Sequence, residues 1–232
     1  SPWTRRVVGP RRFNGAELID QLDALQLNDD PMPYIQQAFQ AAAGRTIDDL
    51  IFTAALGTTR TGVDGAGSET FPAGQVIAVD EHDANHETAA AYTSGNVPMT
   101  IGKMSAAIAR ISANEGDSYD SGGSPPICVS LSAAQLLALR RQIPYTNDQY
   151  IRKELIDVIN GASKVFMGAT IVRTQRNLLD ANSYERCLVW HRDAIGLAVW
   201  EDVSAKMEQL ATKNYSWQAW IELVMNAVRI ES

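Results

Sequence analysis

Gly57, Gly62, Gly65 and Gly67 crowd around threonines and one arginine in "LGTTRTGVDGAG", Leu56 to Gly67. Glycine and threonine at this density suit a phosphate-cradling loop, in which free backbone N–H groups point at the anion. The Walker form of that loop needs a lysine followed by Ser or Thr after its last glycine. No lysine lies between Leu56 and Gly67. The loop also needs a strand before it and a helix after it. Here the glycines follow a helical pattern, where carbonyls rather than N–H groups are left over. The dinucleotide fingerprint G-x-G-x-x-G is absent as well. Gly57 therefore reads as the cap that ends a helix, and the rest of the stretch as a mobile loop.

Other groups have the residue types for chemistry. "DEHDANHE" holds His82 and His86 among Asp80, Glu81, Asp83 and Glu87. On a helix the two imidazoles would share a face and offer a zinc site, and with it a metal-dependent enzyme. Asp83 and Asn85 are poor helix formers and no second ligand cluster accompanies them, so a solvated acidic loop is the reading we adopt. His191 in "CLVWHRD" lies between apolar strands, and spacing pairs no nucleophile with it. Ser130 in "CVSLS" lacks the flanking glycines of a nucleophile elbow. Asp48 and Asp49 are helix neighbours that point in different directions, so they cannot share one reaction. Cys128 and Cys187 sit in "ICVSL" and "CLVWH" and read as buried free thiols, with a single disulfide as the alternative. Trp190, Trp200, Trp217 and Trp220 fall in apolar segments and read as core or interface. No catalytic, cofactor-binding or metal residue is expected, and the chain is not expected to be an enzyme.

The elements that would position these residues alternate between helix and strand. Asp30 caps and Pro31 starts a helix whose apolar positions Ile35, Phe39, Ala42, Ile47, Leu50, Ile51 and Ala54 recur at helical spacing. It runs from about Pro31 to Leu56, roughly 39 Å at 1.5 Å per residue, and a helix of that length is a structural spine. "TFPAGQVIAVD" reads as a short strand or extended segment. A helix over about Thr100 to Asn114 puts Ile101, Met104, Ala107, Ile108 and Ile111 on one face. "PICVSL" is a buried strand, and Ser132 caps the helix "AAQLLALRRQI". Asn147 caps a further helix ending at Gly161. "FMGATIVRT", "RCLVWHR" and "IGLAVW" are strands. "SWQAWIELVMNAVRIES" fits both periods, with its aromatic and β-branched residues favouring a strand. The fold class is α+β.

Composition narrows function further. In 232 residues, 45% hydrophobic and 20% charged is the profile of a globular protein. A net charge of −7 argues against gripping nucleic acid through a basic face. No apolar run approaches a membrane span and no signal peptide is visible, so no membrane partner is expected. Charge is segregated at the start: Arg5, Arg6, Arg11 and Arg12 precede Glu17, Asp20, Asp23, Asp29 and Asp30. Such a basic arm suits an acidic partner, and a second copy of this chain is one. The chain opens Ser1-Pro2-Trp3 without a methionine, as a processed or partly represented product would.

Four segments taken in order carry a resemblance: "DDPMPYIQQAFQAAAGRTIDDLIFTAALGTTRTG", "PPICVSLSAAQLLALRR", "DQYIRKELIDVINGASKVFMGATIVRTQRN" and "RCLVWHRDAIGLAVWEDVSAKMEQLATKNYSWQAWIELVMNAVRI". The chain resembles the major capsid proteins of tailed bacteriophages, most of all a podovirus-type branch of the Hong Kong 97-like family. The most specific pieces are "GR.IDD.I..AALGT..TG", "FMG..I.R" and the final "KNY...W......A.RI". The resemblance implies an α+β fold in which 31–99 forms a peripheral domain with the spine helix and a connecting loop. It implies an axial domain of mixed sheet and helices at 100–202, and strands at 203–232 that return to the peripheral sheet. Residues 1–30 would be the returning part of an extended loop and its lead-in, with Ser1 to Phe13 reaching over a neighbouring subunit, away from its own core.

The function implied is a structural one. Copies would assemble as hexamers and pentamers of an icosahedral shell in the host bacterial cytoplasm. Portal, scaffolding and decoration proteins are the implied partners, and packaged double-stranded DNA would be touched weakly and without sequence specificity. An encapsulin-type cellular shell around protein cargo is the alternative on the same fold. No lysine–asparagine pairing supports a covalent cross-link. Family members usually carry an N-terminal arm and the outgoing half of the extended loop ahead of this point, and both are missing from this sequence.

Overall fold

The computed structural model describes residues 5–19, 32–79, 98–113, 126–142, 157–158, 161 and 163–230. They divide into two compact units, one comprising the described residues up to Thr70 with Ile195–Ile230, the other those of Phe71–Ala194.

The first unit is a long helix on a three-stranded sheet. Helix α1 spans Met32–Leu56 and is the expected spine. It stops where Gly57 N–H donates to Thr53 O at 2.8 Å. A Cβ at Gly57 would stand 2.6 Å from that same carbonyl, so close approach is what requires glycine there. The sheet orders as β2-β10-β9, with β2 at Arg12–Ile19, β9 at Ile195–Leu210 and β10 at Ser216–Arg229. The ambiguous C-terminal run is thus a strand and the centre of its sheet. Both neighbours pair with it antiparallel. Alternate residues Ala219, Ile221, Leu223, Met225, Ala227 and Arg229 are buried, as a strand with one covered face requires. Ile221, Leu223 and Met225 form one apolar cluster with Ala43 and Leu50 of α1, with Phe13, Phe39 and Ile47 at its margin. Ile51, expected beside Leu50, is only half-buried; one position further on, Phe52 is buried instead. The cluster on the sheet takes Phe39, Ala43, Ile47 and Leu50 from one side of the helix, and Ile51 lies about 100° round from Leu50, outside it.

A second, smaller sheet in this unit orders as β1-β3-β4, with β1 at Arg6–Val7, β3 at Thr59–Thr61 and β4 at Gly67–Glu69. It corrects two expectations. The stretch after Gly57 is a β-hairpin, its turn made by Gly62 at φ 93° and Gly65 at φ 69°. Its glycines serve a turn that needs positive φ, which composition alone does not separate from a mobile loop. The basic start, expected away from its own core, instead supplies one strand to each sheet of this unit.

In the second unit β5 (Ile127–Leu131), β6 (Val165–Phe166), β7 (Ala169–Arg173) and β8 (Val189–His191) form a sheet of order β6-β7-β5-β8. β5 and β7 are parallel, and the other pairs antiparallel. Helix α2 spans Ile101–Ala113, where Thr100 Oγ1 accepts the N–H of Lys103 at 3.1 Å. Helix α3 spans Ala133–Gln142, with Ser132 Oγ accepting from Gln135 N–H at 3.4 Å, as the sequence predicts. Met104, Val129, Leu131, Leu139 and Phe166 are the heart of a core to which Ile101, Ile108 and Ile111 add their partly buried side chains. "FMGATIVRT" is not one strand. Met167 and Gly168 take φ of 52° and 73° and turn it into the β6–β7 hairpin, the two-positive-φ turn that matches strand twist. "TFPAGQV" forms a single 3-10 turn at Ala73–Gln75, with no strand among the described residues 71–79. Pro72 and Gly74 explain this, since neither residue favours a strand interior. Asp30, Pro31 and Asn147 lie outside the described residues. So does most of the helix expected to end at Gly161, although Asp157 and Val158 are helical and Val158 is buried.

Candidate functional site

The residues singled out for chemistry are scattered and engaged structurally. Ser130 is fully buried; its Oγ accepts Leu188 N–H at 2.8 Å while its own N–H donates to Leu188 O at 2.8 Å. Its hydroxyl thus joins β5 to the residue before β8 and cannot meet a substrate. His191 Nδ1 accepts from Asp193 N–H at 3.2 Å, and its Nε2 is buried without a partner among the described residues. Asp48 is exposed and Asp49 half-buried on α1. Cys128 and Cys187 are free, half-buried thiols. Burial pushes both up from the usual thiol range, Cys187 to about 12 with the Glu185 carboxylate adding to the rise, so neither is primed as a nucleophile. Among the described residues no group of three or more His, Cys, Asp or Glu is placed to hold a metal, and no helix is long and apolar enough to cross a membrane. His82 and His86 lie outside the described residues. Trp190, Trp217 and Trp220 are half-buried, whereas Trp200 is 49% exposed.

The organised polar chemistry is architectural. Around the end of α1, Arg229 Nη1 donates to Ala55 O at 2.9 Å and to Gly57 O at 3.2 Å, and Nη2 donates to Glu69 O at 3.4 Å. A guanidinium at a helix C-terminus satisfies orphan carbonyls and meets the negative end of the dipole. Beside it Arg6 pairs with the Glu69 carboxylate, and its Nε donates to Ile230 O at 3.2 Å. One latch thus gathers β1, β4, the end of β10 and the end of the spine. In the second unit the Glu185 carboxylate accepts from Ser132 Oγ at 2.7 Å, Asn177 Nδ2 at 2.7 Å and Gln135 Nε2 at 3.4 Å. Sequence reasoning missed Glu69, Glu185, Glu222 and Arg229, because their partners, apart from Asn177 beside Glu185, are distant along the chain. The one available signal was an arginine alternating in register with the buried residues of β10.

The arginine-rich start was expected to act only between subunits. Arg6 contradicts this, being nearly buried and paired with Glu69 of its own chain. Arg12 pairs with Glu222 while keeping 62% of its side chain exposed. Both acids sit far along the sequence, which is why no local partner was visible. Arg5 and Arg11 are exposed, with Arg11 stacked 5.0 Å from the Phe13 ring. The opposite edge of the same sheet, β9, is exposed almost throughout from Val199 to Gln209.

What this architecture serves follows from its relatives. No curated protein matches the chain. Solved structures do match, and at these identities the likeness is one of fold. A structure of Mycobacterium phage Bobi is 14% identical, with a TM-score of 0.61 over 97% of this chain and 67% of that one. The capsid of cyanophage Pam1 is 9% identical, with a TM-score of 0.57 over 96% and 71%. The capsid of Myoviridae phage XM1 is 13% identical, with a TM-score of 0.53 over 97% and 71%. These are phage capsid proteins with the Hong Kong 97-like fold. The sequence profile of the phage capsid protein family matches residues 1–232. The chain belongs to the phage capsid protein family, the structural proteins whose copies make up the virion shell.

Proposed function

We propose that this protein is the major capsid subunit of a tailed double-stranded DNA phage, arranged in hexamers and pentamers of an icosahedral shell around the genome. The observation that carries the reading is the family match along the whole chain. The helix-on-sheet unit serves as the peripheral domain, with 1–30 returning into it from an extended loop. The second unit, within 71–194, overlaps the 100–202 expected for the axial domain and serves as that domain. Assembly takes place in the host cytoplasm with portal and scaffolding proteins, and decoration proteins bind the finished shell. A subunit of net charge −7 meets packaged DNA weakly, as a container that must later release it requires.

Electron microscopy of particles from purified protein tests the reading, with nuclease protection of their contents as second readout. Closed shells that protect DNA when formed with the packaging machinery are expected. Shells that enclose a protein cargo instead would make this a cellular compartment, and failure to form any particle would refute the shell reading.

A further inference from the structure

β8 ends at His191 and β9 begins at Ile195. The turn between them is where the chain leaves the second unit, at Ala194, and resumes the first. Ala194 N–H donates to His191 O at 2.9 Å and closes the turn. Inside it, Asp193 N–H donates to His191 Nδ1 at 3.2 Å. Arg192 N–H donates to Pro126 O at 2.9 Å and fastens the turn to the residue before β5.

An imidazole nitrogen that accepts a hydrogen bond carries no proton, so the neutral ring of His191 holds its proton on Nε2. That ring is 15% exposed, and its Nε2 is buried without a partner among the described residues. The hydrogen bond that holds the ring is therefore the one at Nδ1, and it exists only while the ring is neutral. A charged imidazole has protons on both nitrogens. Nδ1–H would then face Asp193 N–H, donor against donor. An acceptor is at hand, since the Asp193 carboxylate lies 3.8 Å from Nδ1 on a side chain 74% exposed. Arg192 Nε is 3.9 Å from the other oxygen of that carboxylate.

Other charged groups around β8 are directed elsewhere. β8 packs against β5 and α2. On β5, Ile127 stands opposite His191, while Cys128, the titratable residue of that strand, stands opposite Trp190 on the other face. On α2 the charged residues are Lys103 and Arg110. Lys103 Nζ donates to Val79 O at 2.7 Å, and Arg110 Nη1 to Gly74 O and Val76 O at 3.3 and 3.1 Å.

We propose that His191 and Asp193 form a proton-operated switch in the turn that joins the two units. Neutral His191 holds Asp193 N–H. A proton taken up from solvent at Nδ1 ends that bond, passes the new N–H to the Asp193 carboxylate and loosens the turn. Imidazole changes charge between about pH 5 and 8, so mild acid is the trigger. The next residue, Ile195, stands opposite Arg229, which holds the end of α1. Acid thus slackens the chain one residue before the strand pair that carries the latch.

Hydrogen exchange in unassembled full-length subunits at about pH 5 and pH 8, with each amide corrected for its intrinsic rate, tests the switch. Protection of Asp193 N–H should fall about tenfold in acid, the worth of one hydrogen bond. Arg192 N–H, held by Pro126, should keep its protection. His191→Asn supplies a side-chain carbonyl that accepts Asp193 N–H at any pH, so its protection should be equal at both. Asp193→Asn removes the carboxylate that receives Nδ1–H, and its loss of protection should begin at lower pH than in the wild type. Nitrogen-15 spectra of the wild-type imidazole should show the Nε2–H tautomer at pH 8. An Nδ1–H tautomer there, equal wild-type protection of Asp193 N–H at both pH values, or an acid loss in His191→Asn as large as the wild type's overturns the switch.

Discussion

Leu50→Ala probes the contact on which the first unit depends. Leu50 is 6% exposed and lies in the cluster with Ala43, Ile221, Leu223 and Met225. The substitution removes three carbon groups, a transfer loss of ~2.4 kcal/mol at ~0.8 kcal/mol each. The cavity left behind adds to this, and Leu→Ala changes in cores span ~2–5 kcal/mol. One helix on a three-stranded sheet can settle inward further than a closed core can, so a total of about 3 kcal/mol is expected. At a urea dependence of ~2 kcal/mol per molar, the midpoint should fall by about 1.5 M. Unassembled subunits followed by the fluorescence of Trp217 and Trp220 on β10 give the measurement, with hydrogen exchange of α1 amides as an independent check. Ile51→Ala is the control, since Ile51 is half-buried and outside that cluster. A Leu50→Ala midpoint equal to the wild type, or equal shifts for both variants, would refute the packing of this helix on β10.

Arg229→Met should fray the last turn of α1 by leaving the Ala55 and Gly57 carbonyls without their donor, at a cost of ~1.5–3 kcal/mol for a charge-assisted contact; faster amide exchange confined to residues 53–57 and β4 is the check. Glu185→Ala should lower unit-two stability by about 3 kcal/mol, since it strands the Asn177 amide and uncouples the Ser132 cap, with urea midpoints as the readout. Cys187 should react with iodoacetamide slowly at pH 8 in the folded subunit and quickly in urea, as mass spectrometry will show. Its folded pKa of about 12 lies above the unfolded value of 9.0. The unfolded chain therefore loses the proton first, and stability should decline as pH rises between those values and be unaffected below them. Cys187→Ser should remove that decline.

The parts of this fold legible in the sequence were those specified locally. α1, α2 and α3 carry helical apolar spacing, and Thr100 and Ser132 lie next to the helices they cap, so a short window contains the cause. β10 was legible only as an ambiguity, because a strand buried on one face over 14 residues also satisfies helical spacing in part. The turn at Met167–Gly168 was read as strand for want of the Asn-Gly or Asp-Gly pair that marks a tight hairpin. Asp64-Gly65 is such a pair, but the strands on either side, Thr59–Thr61 and Gly67–Glu69, are too short to show an alternating pattern, and the stretch was read as a loop. The partners of Arg6 and Arg12 were out of reach: 63 residues separate Arg6 from Glu69, and Glu222 stands on a strand formed from the other end of the chain. Their exposure and pairing are settled by sheet register, which no local pattern encodes. Family resemblance supplied the function, since a shell protein works through surfaces spread over many residues and leaves no compact motif.

The first unit is discontinuous: its helix and β2 precede Phe71, its strands β9 and β10 follow Ala194, and the second unit lies wholly between. During synthesis the second unit emerges as an uninterrupted segment and can fold while still tethered to the ribosome. The first cannot, because its central strand, to which both edge strands and α1 attach, is the last of its parts to leave the exit tunnel. Until residues 216–229 appear, β2 and β9 have no strand between them and their edges are not yet aligned. The sheet of the first unit is thereby completed only once translation has passed its central strand.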